Sequence, residues 1–111
     1  MTVITVHYKG QSIVGFTAKG HSGYAQHGED VVCAAVSALT QTAYLGVAEL
    51  VGAQVDFKMK DGALRLMLPS GLEPEKREKA ELILGTMVLG LRSIEENYSD
   101  YLKLIKREVK A

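Results

Sequence analysis

From Thr2 to Tyr8 the chain alternates, with Ile4, Val6 and Tyr8 on one side at period two. This is the pattern of a half-buried strand. Lys9-Gly10-Gln11-Ser12 reads as a turn, and Ile13 to Lys19 alternates again with Val14, Phe16 and Ala18 aligned. Together they predict a hairpin. The pattern breaks from Gly20 to Glu29, a stretch that holds Gly20, Gly23 and Gly28 together with His21 and His27. Glycine admits backbone angles denied to other residues, so this loop can turn tightly or move.

Beyond the loop, Val32, Val36, Leu39, Ala43, Val47 and Leu50 recur at helical spacing. They predict a helix from Val31 to Val51, opened by Asp30 as N-cap and ended by Gly52. Gln54 to Lys60 alternates with Val55, Phe57 and Met59 inward, Asp61-Gly62 is a two-residue hairpin signal, and Leu64, Leu66 and Leu68 mark the returning strand. Pro69-Ser70-Gly71 is a breaker. Pro74 suits the first turn of a second helix, where Glu73, Glu75 and Glu78 favour the positive end, and Ala80, Ile83, Met87, Leu91 and Ile94 form its buried stripe. Tyr98-Ser99-Asp100 ends that helix, Tyr98 and Tyr101 cover an edge of the core, and Tyr101 to Val109 reads as a last strand, with a short helix as the alternative. The expectation is an α+β protein of order β-β-α-β-β-α-(β): a largely antiparallel sheet of four or five strands with two helices on one face. The halves share a coarse order without residue-level self-similarity, so no repeat is assigned, and residues 1–111 form one domain.

Composition narrows the function classes. Lys plus Arg and Asp plus Glu each number 13, so the formal net charge is zero. That argues against a direct nucleic-acid binder held by phosphate neutralisation, although a local basic patch stays open. The single cysteine cannot form an internal disulfide. Nothing at the N-terminus has the form of a signal peptide, and the apolar stretches read as too short to span a bilayer. The expectation is a cytoplasmic protein with a reduced thiol and no membrane partner.

The chemistry lies between Gly20 and Ser37. With Asp30 as N-cap, its carboxylate can accept the N–H of Cys33, the third helical residue. Free N–H groups and the helix dipole favour an anion there, hence the thiolate, which is the nucleophilic form. The charge of Asp30 opposes this, so a cationic histidine nearby would help. The competing reading of Cys33, beside Ala34, Ala35 and Val36, is a small buried hydrophobe. His21 and His27 both lie on the loop, and spacing does not choose between them as a base. Either could be a plain loop histidine, and His7 reads as a surface or edge residue of the first strand. Ser37, one turn after Cys33, either supports the thiolate or bonds back to the carbonyl of Cys33. His21, His27, Cys33 and Asp30 could serve as zinc ligands, but no paired C-x-x-C or H-x-x-x-H spacing is present, so a metal ranks below catalysis.

Gly20-His21, Tyr24-Ala25, Gly28 and the run from Asp30 to Leu39 (Asp-Val-Val-Cys-Ala-Ala-Val-Ser-Ala-Leu) resemble the signature of the bacterial ribosomal-processing cysteine protease Prp family. The resemblance covers the chain in length and element order. It implies a protease without cofactor that removes a short N-terminal extension from large-subunit ribosomal protein L twenty-seven, cutting after a hydrophobic, aromatic-rich sequence. By position it makes Cys33 the nucleophile and His21 the base, with Asp30 and Ser37 in support, and Gly20 and Gly28 letting the loop close over substrate. It also implies a homodimer. Ser22-Gly23 departs from the family pattern of an alanine followed by a variable residue. No third member of a triad is evident beyond a weak case for Asp30, so a Cys-His dyad is expected. Two rivals stand beside it. A non-catalytic ribosome-associated binding module would bury Cys33. A thiol redox enzyme would lack a resolving cysteine.

Overall fold

The computed structural model describes residues 1–21, 23–26 and 30–109. His27, Gly28 and Ser22, which carried sequence expectations, lie outside them. The elements are β1 (Thr2–Lys9), β2 (Ser12–Lys19), α1 (Val31–Leu45) with a π-helical extension (Gly46–Val51), β3 (Asp56–Lys60), β4 (Ala63–Met67), α2 (Pro74–Asn97) and β5 (Leu102–Glu108). The expected α+β order is present, and the last segment is a strand.

The sheet runs β3-β4-β2-β1-β5. The β1/β2, β2/β4 and β3/β4 ladders are antiparallel. β5 instead lies parallel to β1, with Thr2 opposite Leu102 and Tyr8 opposite Glu108. The chain reaches it by crossing over along α2, as a parallel pairing requires. This makes β1 an interior strand, so His7 is not at an edge; it stands half-buried on the face away from the helices.

Two departures from the sequence pattern have local causes. In β2, His7 faces Gly15 while Tyr8 faces Ile13, so Val14 is an extra, bulged residue. One inserted residue moves everything beyond it to the other face. Ile13 is therefore buried with Phe16, and Val14 is not part of their row. Gly15 follows the bulge because β4 passes close by: a Cβ there would collide with the Leu66 carbonyl oxygen and the Met67 sulfur.

The second departure is in the first helix. It is α-helical only to Leu45, then widens to π-helical turns that end at Gly52 (φ 76°), whose N–H donates to the Val47 carbonyl. The wider turns take Leu50 off the buried stripe, leaving it 87% exposed while Val47 is fully buried. The 21-residue span Val31–Val51 is long and apolar enough to cross a membrane by length and composition, contrary to the expectation that no stretch is. Here it contributes Val32, Val36, Ala43 and Val47 to the core shared by the helices and the sheet. The two helices approach closely at glycines. A Cβ on Gly46 would lie 3.3 Å from Ile83 and one on Gly90 3.1 Å from Leu39. In α2, Ala80, Leu84, Met87, Val88 and Leu91 are buried, with Ile83 and Ile94 partly so.

The β3/β4 hairpin has its two-residue turn at Asp61-Gly62, between paired Lys60 and Ala63. Positive φ falls on Gly62 alone (72°), so Asp61 does not need it. This turn becomes one wall of the site.

Candidate active site

Asp30 is the N-cap of α1 and does two things at once. Its Oδ1 accepts the Cys33 N–H at 2.9 Å, the bond expected from spacing, and its Oδ2 accepts the Tyr24 N–H at 3.2 Å. One buried carboxylate thus ties the glycine-rich loop to the first helical turn. Tyr24 is further held by edge-on contacts with the rings of Tyr98 and Tyr101, at 5.6 and 5.1 Å between centroids. Tyr98 and Tyr101 pack on the core edge as the sequence suggested, and they also carry the loop.

Removing the Asp30 side chain therefore costs both the cap and the loop tether. For Asp30→Ala we expect a loss of about 1–2 kcal/mol, read as a lower Tm in thermal denaturation. Asn caps as well as Asp but has a single acceptor oxygen, so Asp30→Asn should keep the bond to the Cys33 N–H, lose the one to the Tyr24 N–H, and fall between the parent and Asp30→Ala. Equal destabilisation by both would mean that capping contributes nothing and that the second carboxylate oxygen, with its hold on Tyr24, carries the whole effect.

Cys33 is half-buried on the third residue of α1. Its N–H is committed to Asp30, so that N–H is not the donor for a developing oxyanion. Ser37 is exposed one turn further along the same helix.

His21 is positioned from the opposite side. Gly20, at φ 87°, turns the chain out of β2 where a Cβ would come within 2.5 Å of the Met1 carbonyl oxygen. The Gly20 N–H donates to the Gly62 carbonyl at 2.8 Å, pinning the start of the loop to the β3/β4 turn. The imidazole consequently rests on that turn: a Cβ on Gly62 would lie 3.3 Å from His21 Nε2. Asp61 Oδ1 is 3.7 Å from the same nitrogen, an ion pair when the ring is protonated. The two side chains are 51% and 87% exposed, so the pair adds little to stability. Asp61 is a neighbour the sequence reading missed, having been read as a turn residue only.

Between these walls runs an open cleft of about 930 Å³. Cys33, Ser37 and Thr40 line it from α1, Gly20 and His21 from the end of β2, and Lys60 to Ala63 from the hairpin turn. Of the site residues proposed from sequence, His21, Cys33, Asp30, Ser37 and Gly20 all border this cleft; Gly28 and the competing His27 lie outside the described residues. Among the described residues no three His, Cys, Asp or Glu side chains cluster as metal ligands would. What the arrangement offers is a thiol at a helix N-terminus, an imidazole facing the same groove, and room for an extended peptide.

Known proteins give this arrangement a family. The family model described as cysteine protease Prp matches residues 1–103. The ribosomal processing cysteine protease Prp of Bacillus subtilis is 36% identical over 105 residues, covering 93% of this chain and 92% of that one. The protein of the same description from Staphylococcus aureus is 29% identical over 101 residues, covering 91% and 92%. In fold, the chain is similar to S. aureus Prp crystallised with a covalently linked product peptide (TM-score 0.86, 24% identity, 96% and 100% of the two chains). The S. aureus enzyme with a substrate peptide gives a TM-score of 0.81 at 23% identity, again over 96% and 100% of the chains. With a whole-chain family match and a relative above a third identical, this protein belongs to the Prp family of cysteine proteases.

Proposed function

We propose that this protease removes the short N-terminal extension of large-subunit ribosomal protein L twenty-seven in the cytoplasm, using Cys33 and His21 as a catalytic dyad. The observation that carries the reading is that Cys33, at the start of α1, and His21, just after β2 and against the β3/β4 turn, border one peptide-sized cleft. The product and substrate peptides bound to the S. aureus relative support it.

In the proposed mechanism the Cys33 thiolate adds to the scissile carbonyl carbon, and the electron pair moves onto the oxygen. N–H groups of the loop or of the first helical turn other than that of Cys33 receive this oxyanion. With His21 Nε2 turned to Asp61, Nδ1 is the nitrogen that exchanges the proton with the thiol. The imidazolium gives its proton to the leaving amine as the C–N bond breaks, leaving a thioester. Water, deprotonated by the now neutral imidazole, attacks the thioester carbon and regenerates the thiol. Asp61 steadies the imidazolium formed between these steps, and Ser37 supports the groove beside the thiol.

The test is incubation with the extended ribosomal protein, followed by mass spectrometry of its new N-terminus. A precursor left intact by active, folded enzyme would refute the assigned substrate.

A second copy of the chain is the occupant we assign to the apolar outer surface of the helices, where Leu82 and Leu89 of α2 stand 75% and 71% exposed. Sedimentation equilibrium should give twice the chain mass. A monomer at micromolar concentration would remove this part of the reading.

A further inference from the structure

The zero net charge is an average over two unlike surfaces. Both helices cover the same side of the sheet, so the other side is bare, and strand alternation decides what it shows. Ladder pairing sets out three rows across that bare face. The first is Lys60, Ala63, Lys19, Val3 and Lys103, the second Lys58, Arg65, Thr17, Thr5 and Ile105, and the third Asp56, Met67, Gly15, His7 and Arg107. Among these residues Lys19, Lys58, Lys60, Arg65, Lys103 and Arg107 are all exposed cations, and Asp56 is the one acid. Asp56 is already engaged, accepting from Arg65 Nη1 at 2.8 Å. Six of the balancing acids sit elsewhere: Glu73, Glu75, Glu78, Glu81, Glu95 and Glu96 are on or beside α2, where Lys76, Arg77, Lys79 and Arg92 make the surface mixed.

We propose that this bare sheet face is a docking platform for the phosphate backbone of structured RNA. Like charges directly opposite on neighbouring strands destabilise a sheet, yet Lys58 faces Arg65 across the β3/β4 ladder. Asp56 offsets part of that repulsion through Arg65, and Lys58 is left facing the guanidinium. His7 registers the concentration of positive charge. Burial, then the Arg107 and Arg65 guanidiniums, hold its imidazole below the ordinary histidine range. Protection of sheet edges explains lysines on β3 and β5, but not Lys19 and Arg65 on the interior strands β2 and β4.

The face is also the right shape for a backbone reader. Five strands about 4.8 Å apart span roughly 19 Å, enough to meet several phosphates. None of the residues in the three rows is Phe, Tyr or Trp, so there is no platform on which unpaired bases would stack. That favours a helical RNA, recognised by shape and phosphates without sequence preference. The choice of RNA over an acidic protein rests on the proposed ribosomal-protein substrate, whose natural neighbour is RNA. The platform reaches the cleft itself, because Lys60 and Ala63 of the first row also line its rim. A protease so docked would meet a precursor already seated on RNA.

Fluorescence anisotropy with an RNA duplex of about 20 base pairs and arbitrary sequence, repeated over a series of KCl concentrations, tests this. The parent should bind with a log K against log[salt] slope near −4, as expected for roughly four to five neutralised phosphates. Lys58→Glu with Arg107→Glu should weaken binding at least tenfold and flatten the slope by about two, and Lys58→Gln with Arg107→Gln should do so to a smaller extent. Lys79→Glu with Arg92→Glu on α2 should leave binding unchanged. Cleavage of an isolated precursor peptide, measured on the same preparations, should be equal in all of them, which also shows that they fold. Absent duplex binding, equal loss in the α2 variant, or tighter binding of poly-glutamate than of RNA would each overturn the proposal. Peptide cleavage is read separately, so failure of the substrate assignment would appear there and not in the RNA titration.

Discussion

Cys33→Ala is expected to abolish processing of the proposed substrate: the extended ribosomal protein incubated with this variant should keep its N-terminus over times at which the parent converts it. The expected fall in rate is at least about 10³-fold, because the covalent route is closed and no neighbouring group on α1 replaces a thiolate. Structure should not confound the result. The side chain is only half-buried, and alanine is the best helix former, so stability should change by less than about 1 kcal/mol. The backbone N–H of residue 33 still reaches Asp30 Oδ1, which keeps the cap and the loop tether. Cys33→Ser is the sharper companion. It preserves a nucleophile of similar size at the same place but exchanges sulfur for a far less ionised hydroxyl, and it should be almost as inactive. Mass spectrometry of parent enzyme quenched in mid-reaction should find an acyl adduct on Cys33, absent from Cys33→Ala. Cleavage that survives in Cys33→Ala would end the nucleophile assignment and return the thiol to the role of a core side chain.

Most of what places Cys33 is short-range, and that is why it was readable. An N-cap and the residue three positions later are neighbours by helix geometry alone, so Asp30 and Cys33 could be paired without knowledge of the fold. The hairpins were readable for the same reason, since period-two alternation and the glycines at 10 and 62 are local signals. The bulge at Val14 was not: both Ile13 and Val14 are apolar, and only the partner strand decides which of them faces the core. Nor was the π-helical extension, which packs close to Ile83 of α2 at Gly46 and carries no distinct residue pattern. The contact of His21 with Asp61 joins positions on different hairpins, which spacing along the chain does not reveal. The placement of charge is legible only from the fold: summed over the sequence it is zero, while the ladder register gathers lysine and arginine on one face of the sheet.

The base is where geometry adds most to the sequence, and His21→Ala should show it. The imidazole is half-exposed and rests against Gly62, so its removal leaves no cavity in the core and should change stability by about 0.5 kcal/mol or less. Any large effect on turnover is then chemical. Loss of a general acid and base from a step that must protonate an amine leaving group is expected to lower kcat about 10²–10⁴-fold, with KM changed much less. His27→Ala, on the same loop, should keep activity within a few-fold of the parent. Alkylation of Cys33 by iodoacetamide separates the two functions of His21. If the imidazolium holds the thiolate, His21→Ala slows alkylation near neutral pH as well as peptide cleavage. If the ring only transfers a proton to the leaving amine, cleavage falls while alkylation is unchanged. Asp61 refines the comparison, because it approaches Nε2: Asp61→Asn should reduce kcat only a few-fold, as expected of an exposed carboxylate acting through the ring. Loss of activity in His27→Ala with retention in His21→Ala would instead move the base along the loop, and would make the contacts of His21 with the β3/β4 turn a purely structural anchor for it.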